Sequence, residues 1–413
     1  MSLKERALDM HRKSRGKIEI ISKVPVKTRE DLSLAYTPGV ADASRETARD
    51  KSLMYEYTSK WNLVAVVSDG TAVLGLGNIG PEGAMPVMEG KSILFKNFAG
   101  VDAFPLCVST SKVEDIVNLV KWIEPTIGGV NLEDISAPRC FDIENRLKEE
   151  TDIPIFHDDQ HGTAVVVLAA MKNALKLVSK KPADTCVVIN GAGAAGIATA
   201  LLFITAGYGD IILCDTKGAI YEGRTEGMNM YKQQIALATN RRKIKGDLAQ
   251  ALVGADAFVG LSAPGCVTKD MVSRMAKHSI LLPMANPVPE IFPDEAIKGG
   301  AAVVGTGRSD FANQVNNVLA FPGILRGALD TRSTDINEAM KLAAADAIAD
   351  LIPAAELKPE YIIVDPFDRR VAPAVAKAVA QSAMESGVAR VQVDPDQVAE
   401  NTRQMVEIVN SGV

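Results

Sequence analysis

Residues Cys186 to Phe203 read CVVINGAGAAGIATALLF. The β-branched, apolar start predicts a buried strand, and the small, apolar end predicts a helix. Between them Gly191, Gly193 and Gly196 take the spacing G-x-G-x-x-G. Glycines at these places permit a tight turn, a close approach of backbone to a pyrophosphate and close helix packing, with the helix N-terminus facing the negative charge. The loop Gly191, Ala192, Gly193, Ala194, Ala195, Gly196 is therefore the candidate dinucleotide cradle, and a glycine-rich turn that binds nothing is the competing reading. About twenty residues on, IILCD (Ile211 to Asp215) predicts a second strand ending in an acid, where ribose hydroxyls are bound. Asp215 favours NAD, because a carboxylate repels the 2′-phosphate of NADP. Lys217 and Arg224 follow closely enough to accept a phosphate, so NADP stays possible.

Downstream, strands are expected at Ala257 to Leu261, Ile280 to Met284 and Ala302 to Gly305. Strands alternating with helices predict a Rossmann-type, doubly wound parallel sheet. Asn286, after LLPMA and before a proline, is a candidate site residue or a plain turn residue, and Asn317 lies in NQVNNVLAFPG. From Thr334 the chain turns helical and alanine-rich, with further helices near Ala372 to Ser386 and Asp396 to Asn410.

Upstream, GVNLEDI (Gly129 to Ile135) and PIFHDDQHGT (Pro154 to Thr163) set two acidic clusters about twenty-five residues apart. Each follows a short apolar run, so Glu133, Asp134, Asp158 and Asp159 are expected at neighbouring strand ends, the edge where open α/β proteins place their chemistry. Carboxylates converging there repel one another unless a hard cation such as Mg²⁺ or Mn²⁺ lies between them. Alternatively, Asp158 and Asp159 cap the helix entered at Gly162. His157 and His161 raise a zinc reading, disfavoured because the strand-to-helix junction need not put both rings on one face.

Toward the N-terminus, LAYTPGVADASRETARD (Leu34 to Asp50) places Tyr36 on a rigid turn before a helix; a tyrosine packing its ring with the hydroxyl at the surface is the plain alternative. Asn62 to Ser68 reads as a buried strand. The following VLGLGNIGPEGAMP repeats a glycine fingerprint at Gly75, Gly77 and Gly80, but Pro81 and Pro86 make it a poor phosphate-binding helix start. It is read as a packed loop-and-strand element. Lys91 stands out because Val87, Met88, Gly90, Ile93 and Leu94 bracket it with apolar and small side chains.

The chain has 413 residues, enough for two or three domains, and its 47% hydrophobic and 23% charged residues are those of an ordinary globular protein. A net charge of −6 gives no support to a nucleic-acid partner. The charged N-terminus and the lack of long apolar runs point away from a signal peptide and from the membrane, hence to a cytoplasmic location. Cys107, Cys140, Cys186, Cys214 and Cys266 are scattered, without C-x-x-C spacing, and are assigned no chemistry.

Several motifs resemble the malic enzymes, specifically the short bacterial form: GKIEI, DLSLAYTPGVA, DGTAVLGLGNIGPEGAMPVMEGK, NLEDI, FHDDQHGTA, INGAGAAG, MANPVPEI, GTGRSDFANQVNN and FPGILRGAL. The resemblance spans essentially the whole chain. It implies L-malate as substrate, NAD or NADP as cofactor, and Mg²⁺ or Mn²⁺ held by Glu133, Asp134 and Asp159. It further implies catalytic roles for Tyr36 and Lys91, with Asp158 competing with Lys91 as the base. Asn286 and Asn317 would contact substrate, Asn286 also standing at the cofactor. The implied architecture is an α/β catalytic domain (1–160), a Rossmann-type NAD(P)-binding domain (161–328) and C-terminal helices (329–413) packing back on the catalytic domain, in a homodimer. The reaction implied is oxidative decarboxylation of malate to pyruvate and CO₂; a malolactic enzyme, which retains NAD and releases lactate, shares the fold. Two departures stand out. Ala72 occupies the place of an arginine that grips a substrate carboxylate in the long forms, so another donor must hold that carboxylate. The acyltransferase-like domain of longer bacterial relatives is not expected after Val413.

Overall fold

The computed structural model describes residues 2–73 and 75–411. Two parallel sheets organise it. The first has the order β2-β1-β3-β4, from β1 (Leu63–Ser68), β2 (Asp102–Cys107), β3 (Gly129–Leu132) and β4 (Ile155–His157). The second contains β5 (Cys186–Asn190), β6 (Asp210–Asp215), β7 (Gly218–Ala219), β8 (Ala257–Gly260), β9 (Ser279–Pro283) and β10 (Ala301–Val304). Its order, β10-β9-β8-β5-β6-β7, reverses direction between β5 and β8, which is the switch point of a doubly wound fold. One detail departs from the expected all-parallel sheet. The edge strand β7 runs antiparallel to β6, because the two-residue connection Thr216-Lys217 allows only a hairpin.

The strands form because period-2 alternation places apolar side chains on both covered faces. Val187 and Ile189 enter a core shared with Val64 to Val67 of the first sheet, whereas Val188 joins Ile212, Phe258 and Leu281 on the opposite face. The helix Thr163–Leu177 bridges the sheets and is buried over most of its length. The helix Glu338–Ala349 packs on it, while Pro395–Ser411 packs on Gly80–Ala99.

The segment after β1 corrects the sequence expectation. From Gly80 the chain is a single helix to Ala99, with Pro81 in the first turn and Pro86 inside. Pro81 is tolerated because first-turn N–H groups have no intrahelical partner, and Pro86 removes only one internal bond. Lys91 therefore stands mid-helix, on a rigid element. Among the described residues no helix is long and apolar enough to cross a membrane, and all five cysteines are free.

Candidate active site and metal centre

The C-terminal ends of β3 and β4 bring the two acidic clusters together. One carboxylate oxygen from each of Glu133, Asp134 and Asp159 lies within 4.8 Å of the others. Residues 131 and 133 share a strand face, so Asn131 Nδ2 reaches Glu133 Oε2 at 2.7 Å and orients it. Asp134 adopts the left-handed region (φ 54°), and its backbone N–H donates to Asp159 Oδ2 at 2.7 Å. Burial, reinforced by the neighbouring carboxylates, pushes Glu133 well above the usual carboxylate range.

Asp158 turns away from this trio toward Lys91. Its Oδ2 accepts from Lys91 Nζ at 2.7 Å and from Asn317 Nδ2 at 3.0 Å, and Lys91 Nζ also lies 2.9 Å from Glu133 Oε1. The Phe321 ring covers the ammonium at 4.2 Å. Burial alone would lower the Lys91 pKa, but the Asp158 and Glu133 charges outweigh it and hold the lysine above its ordinary range. Asp158 is fully buried, and its Oδ1 has no hydrogen-bond partner among the described residues. That oxygen sits where a Cβ on residue 162 would lie, 1.8 Å away, so Gly162 is required by the carboxylate above it.

The segment Asp158–Gly162 forms one π-helical turn, a local irregularity frequent at functional sites. Neither aspartate caps it. His157 does, its Nδ1 accepting from the Gln160 N–H at 3.3 Å. The zinc reading also falls away, because His161 Nε2 bonds Glu144 Oε1 at 2.7 Å, away from the carboxylate trio. Burial holds His161 down to about 4, so the ring is neutral and its N–H donates to an ionised Glu144. Glu144 also accepts from Gln160 Nε2 at 2.8 Å. Glu144 thus ties the turn that carries Asp159 to the helix Arg139–Glu150. Sequence reading missed it, since nothing local marks it. Asn131 could have been found from its i, i+2 relation to Glu133.

In the second sheet, Gly191 takes φ +120°, and a Cβ there would meet Leu261 O at 2.2 Å; a Cβ on Gly196 would meet Gly191 O at 1.7 Å. Gly193 faces open space ahead of the helix Ala194–Thr205, the room a pyrophosphate needs. Asp215 is already engaged: Arg224 donates to both of its oxygens at 2.7 Å and Lys232 to Oδ2 at 2.6 Å, while Lys217 pairs with Glu226 at 2.8 Å. Asn286 is exposed at the end of β9. A Cβ built on Gly75 would stand 3.2 Å from the Asn286 carbonyl, so the loop after β1 abuts the loop after β9 and the C-terminal edges of both sheets face one cleft. Ala72 donates its N–H to Asp134 O at 2.9 Å. Nearby Arg139 is occupied by Asp69, Thr71, Ser136 and the Ser111 carbonyl.

Tyr36 does not join the lysine–carboxylate cluster, and the Asn286 side chain bonds only the Met284 carbonyl among the described residues. Tyr36 is 66% exposed, and its side chain makes no hydrogen bond or ring contact among the described residues.

Fold and site together define an α/β oxidoreductase of the dinucleotide-binding class, with a lysine-bearing carboxylate cluster at its cleft. Residues 15–112 match the malic enzyme N-terminal domain and residues 160–384 the malic enzyme NAD binding domain. The chain is 60% identical over 408 residues to the bifunctional malic/malolactic enzyme of Bacillus subtilis, covering 99% of this chain and 100% of that one. It is 56% identical over 375 residues to the NAD-dependent malic enzyme of Geobacillus stearothermophilus, covering 91% and 78%. The crystal structure of malic enzyme from Pyrococcus horikoshii superposes with a TM-score of 0.95 at 45% identity, covering 100% and 98%. The chain belongs to the malic enzyme family.

Proposed function

We propose that the chain catalyses the divalent-metal-dependent oxidative decarboxylation of L-malate to pyruvate and CO₂, reducing NAD or NADP. The observation that carries this reading is the meeting of Lys91, Asp158 and Asn317 with the carboxylates of Glu133, Asp134 and Asp159. An all-oxygen donor set with one adjacent lysine suits Mg²⁺ or Mn²⁺, and the unpartnered Asp158 Oδ1 leaves an acceptor for substrate. A cation held by the three carboxylates supplies Lewis acidity toward the oxygens of the substrate.

The chain's own groups do the rest. Asn317, bonded to Asp158, and Asn286, at the facing loop, position malate in the cleft. Because Lys91 is held as the ammonium, the Lys91–Asp158 pair takes the 2-hydroxyl proton by relay, Lys91 passing one proton to the Asp158 carboxylate and receiving the hydroxyl proton in its place, as hydride would leave C2 for a bound nicotinamide. Lys91 is the residue within reach of substrate, and Asp158, in direct hydrogen bond with it, is the competing acceptor. After CO₂ departs, a proton delivered to C3 gives pyruvate; the family resemblance assigns that proton to Tyr36, which in this chain stands exposed and apart from the lysine–carboxylate cluster. In this reading the domains run 1–160, 161–328 and 329–413, the chemistry lies between the two sheets, and the protein works as a homodimer.

The similarity to a bifunctional malic/malolactic enzyme favours a second reading, in which the cofactor would stay bound and return its hydride, so that lactate would be the product released. One assay separates them: L-malate, Mn²⁺ and either NAD or NADP, followed at 340 nm with pyruvate and lactate measured at the end. Reduced cofactor accumulating with pyruvate supports the first reading, and lactate without absorbance change supports the second. No malate-dependent product would sink both.

A further inference from the structure

Glu290 is a fully buried acid that the proposed mechanism leaves unused, and it makes no ion pair among the described residues. A carboxylate so placed is costly unless hydrogen bonds hold it. Glu290 has two, both from the backbone: Oε1 accepts from the Ser262 N–H at 3.0 Å and Oε2 from the Ala285 N–H at 3.0 Å. Burial raises its pKa, and these two bonds act against the rise.

The two donors belong to different loops. Ser262 follows β8 and Ala285 follows β9, so one carboxylate spans two neighbouring strand ends, at the edge where a doubly wound sheet binds its dinucleotide. Beyond these anchors the loops are exposed, from Ser262 to Gly265 and from Asn286 to Val288. The first loop reaches the glycine turn. Asn190, which precedes Gly191, donates from Nδ2 to Ser262 Oγ at 2.6 Å, and the Leu261 carbonyl occupies the place of a Cβ on Gly191. The second loop carries Asn286 directly after the anchored Ala285. Room for the carboxyl group comes from Gly260, the last residue of β8: a Cβ there would stand 2.3 Å from Glu290 Cδ. The end of β8 is thus shaped around the acid.

We propose that Glu290 is a positioning residue of the cofactor site: its two oxygens hold the loops after β8 and β9 in the arrangement that lines the dinucleotide turn and presents Asn286 to the cleft. This role rests on the reading of the second sheet as a dinucleotide site. An ionised carboxylate suits it because both oxygens accept and neither donates. A glutamine of the same shape turns its NH₂ group toward one of the two N–H groups and leaves that donor without a partner. An apolar side chain of similar volume fills the space but holds neither loop.

The test compares wild type with Glu290→Gln and Glu290→Ala. Binding of NADH and NADPH is read by cofactor fluorescence, Mn²⁺ binding by calorimetric titration, and the backbone amides of 261–267 and 284–288 by deuterium uptake. Both variants are expected to bind the preferred reduced cofactor about tenfold more weakly, the size of one lost hydrogen bond to a charged group. The amides of Ser262 and Ala285 should exchange faster. The Kd for Mn²⁺ should stay as in wild type, because Glu133, Asp134 and Asp159 lie at the ends of the other sheet. Glu290→Gln keeps the side-chain shape and carries the test if the alanine variant misfolds. Wild-type cofactor affinity and exchange in Glu290→Gln would overturn the positioning role and leave the dinucleotide reading standing. Equal losses of cofactor and Mn²⁺ affinity would overturn it too, since they report a general loosening of the fold. A wild type that binds neither NADH nor NADPH would overturn the dinucleotide reading and the role of Glu290 with it.

Discussion

Lys91 Nζ and Asp158 Oδ2 are 2.7 Å apart although 67 residues separate them; Asp158 is fully buried, and Lys91, under the Phe321 ring, keeps only a small part of its side chain exposed. Each charge is tolerable in that place because of the other. Lys91→Ala is expected to lower kcat by about 10²- to 10⁴-fold. It also leaves buried carboxylates without their cation, costing about 3–5 kcal/mol. The double variant Lys91→Ala, Asp158→Asn is expected to be little slower than the worse single variant, because both remove one shared unit. Steady-state kinetics with urea denaturation check this. A full rate of malate oxidation by Lys91→Ala would refute the lysine assignment.

Four carboxylates crowd the strand ends, so a divalent cation is expected to stabilise the folded state as well as to serve the proposed reaction. Mn²⁺ at about a hundred times its Kd is expected to add about 2.7 kcal/mol and raise the melting temperature, and EDTA reverses both the shift and the activity. The shift should shrink in Glu133→Gln. Thermal melts with and without Mn²⁺ decide it, and identical melts for wild type and variant would speak against Glu133 as a ligand.

Asp215 holds Arg224 and Lys232 in place beside the expected ribose site. Asp215→Ser removes a charge that repels a 2′-phosphate and frees two cations, so NADP should gain on NAD by about tenfold in kcat/KM. The same pairs stabilise the fold. Burial raises the Asp215 pKa, but the bonds from Lys232 and Arg224 outweigh it and leave it below the ordinary value. The stability advantage of wild type over Asp215→Asn should therefore be complete above about pH 4 and fade as pH falls through the lowered native pKa. Paired melts between neutral and acid pH measure the sign.

Glu144 touches no expected ligand directly, yet it receives both Gln160 and His161 from the turn that carries Asp159. Glu144→Gln is expected to weaken Mn²⁺ binding by about 10–100-fold, the usual cost of loosening a group that orients a ligand. Calorimetric titration of Mn²⁺ reads this directly, and unchanged affinity would show that the turn holds its shape unaided.

Much of this protein is legible in one dimension. The strands announce themselves through short β-branched runs, and the dinucleotide loop through three spaced glycines, of which Gly191 and Gly196 tolerate no Cβ, because strand alternation and turn sterics are local properties of the chain. The carboxylates at the ends of β3 and β4 were visible for the same reason. The helix Gly80–Ala99 was not, since a proline reads as a breaker unless its place in the first turn is known. Tertiary structure alone decided that Asp158 answers Lys91 rather than the following helix, that Glu144 braces the turn, that Arg224 and Lys232 occupy Asp215, and that Tyr36 stands exposed. Most of these are relations between groups brought together from distant parts of the chain or set by whole-fold placement. Charge and burial settle them only after the core has brought those groups into contact.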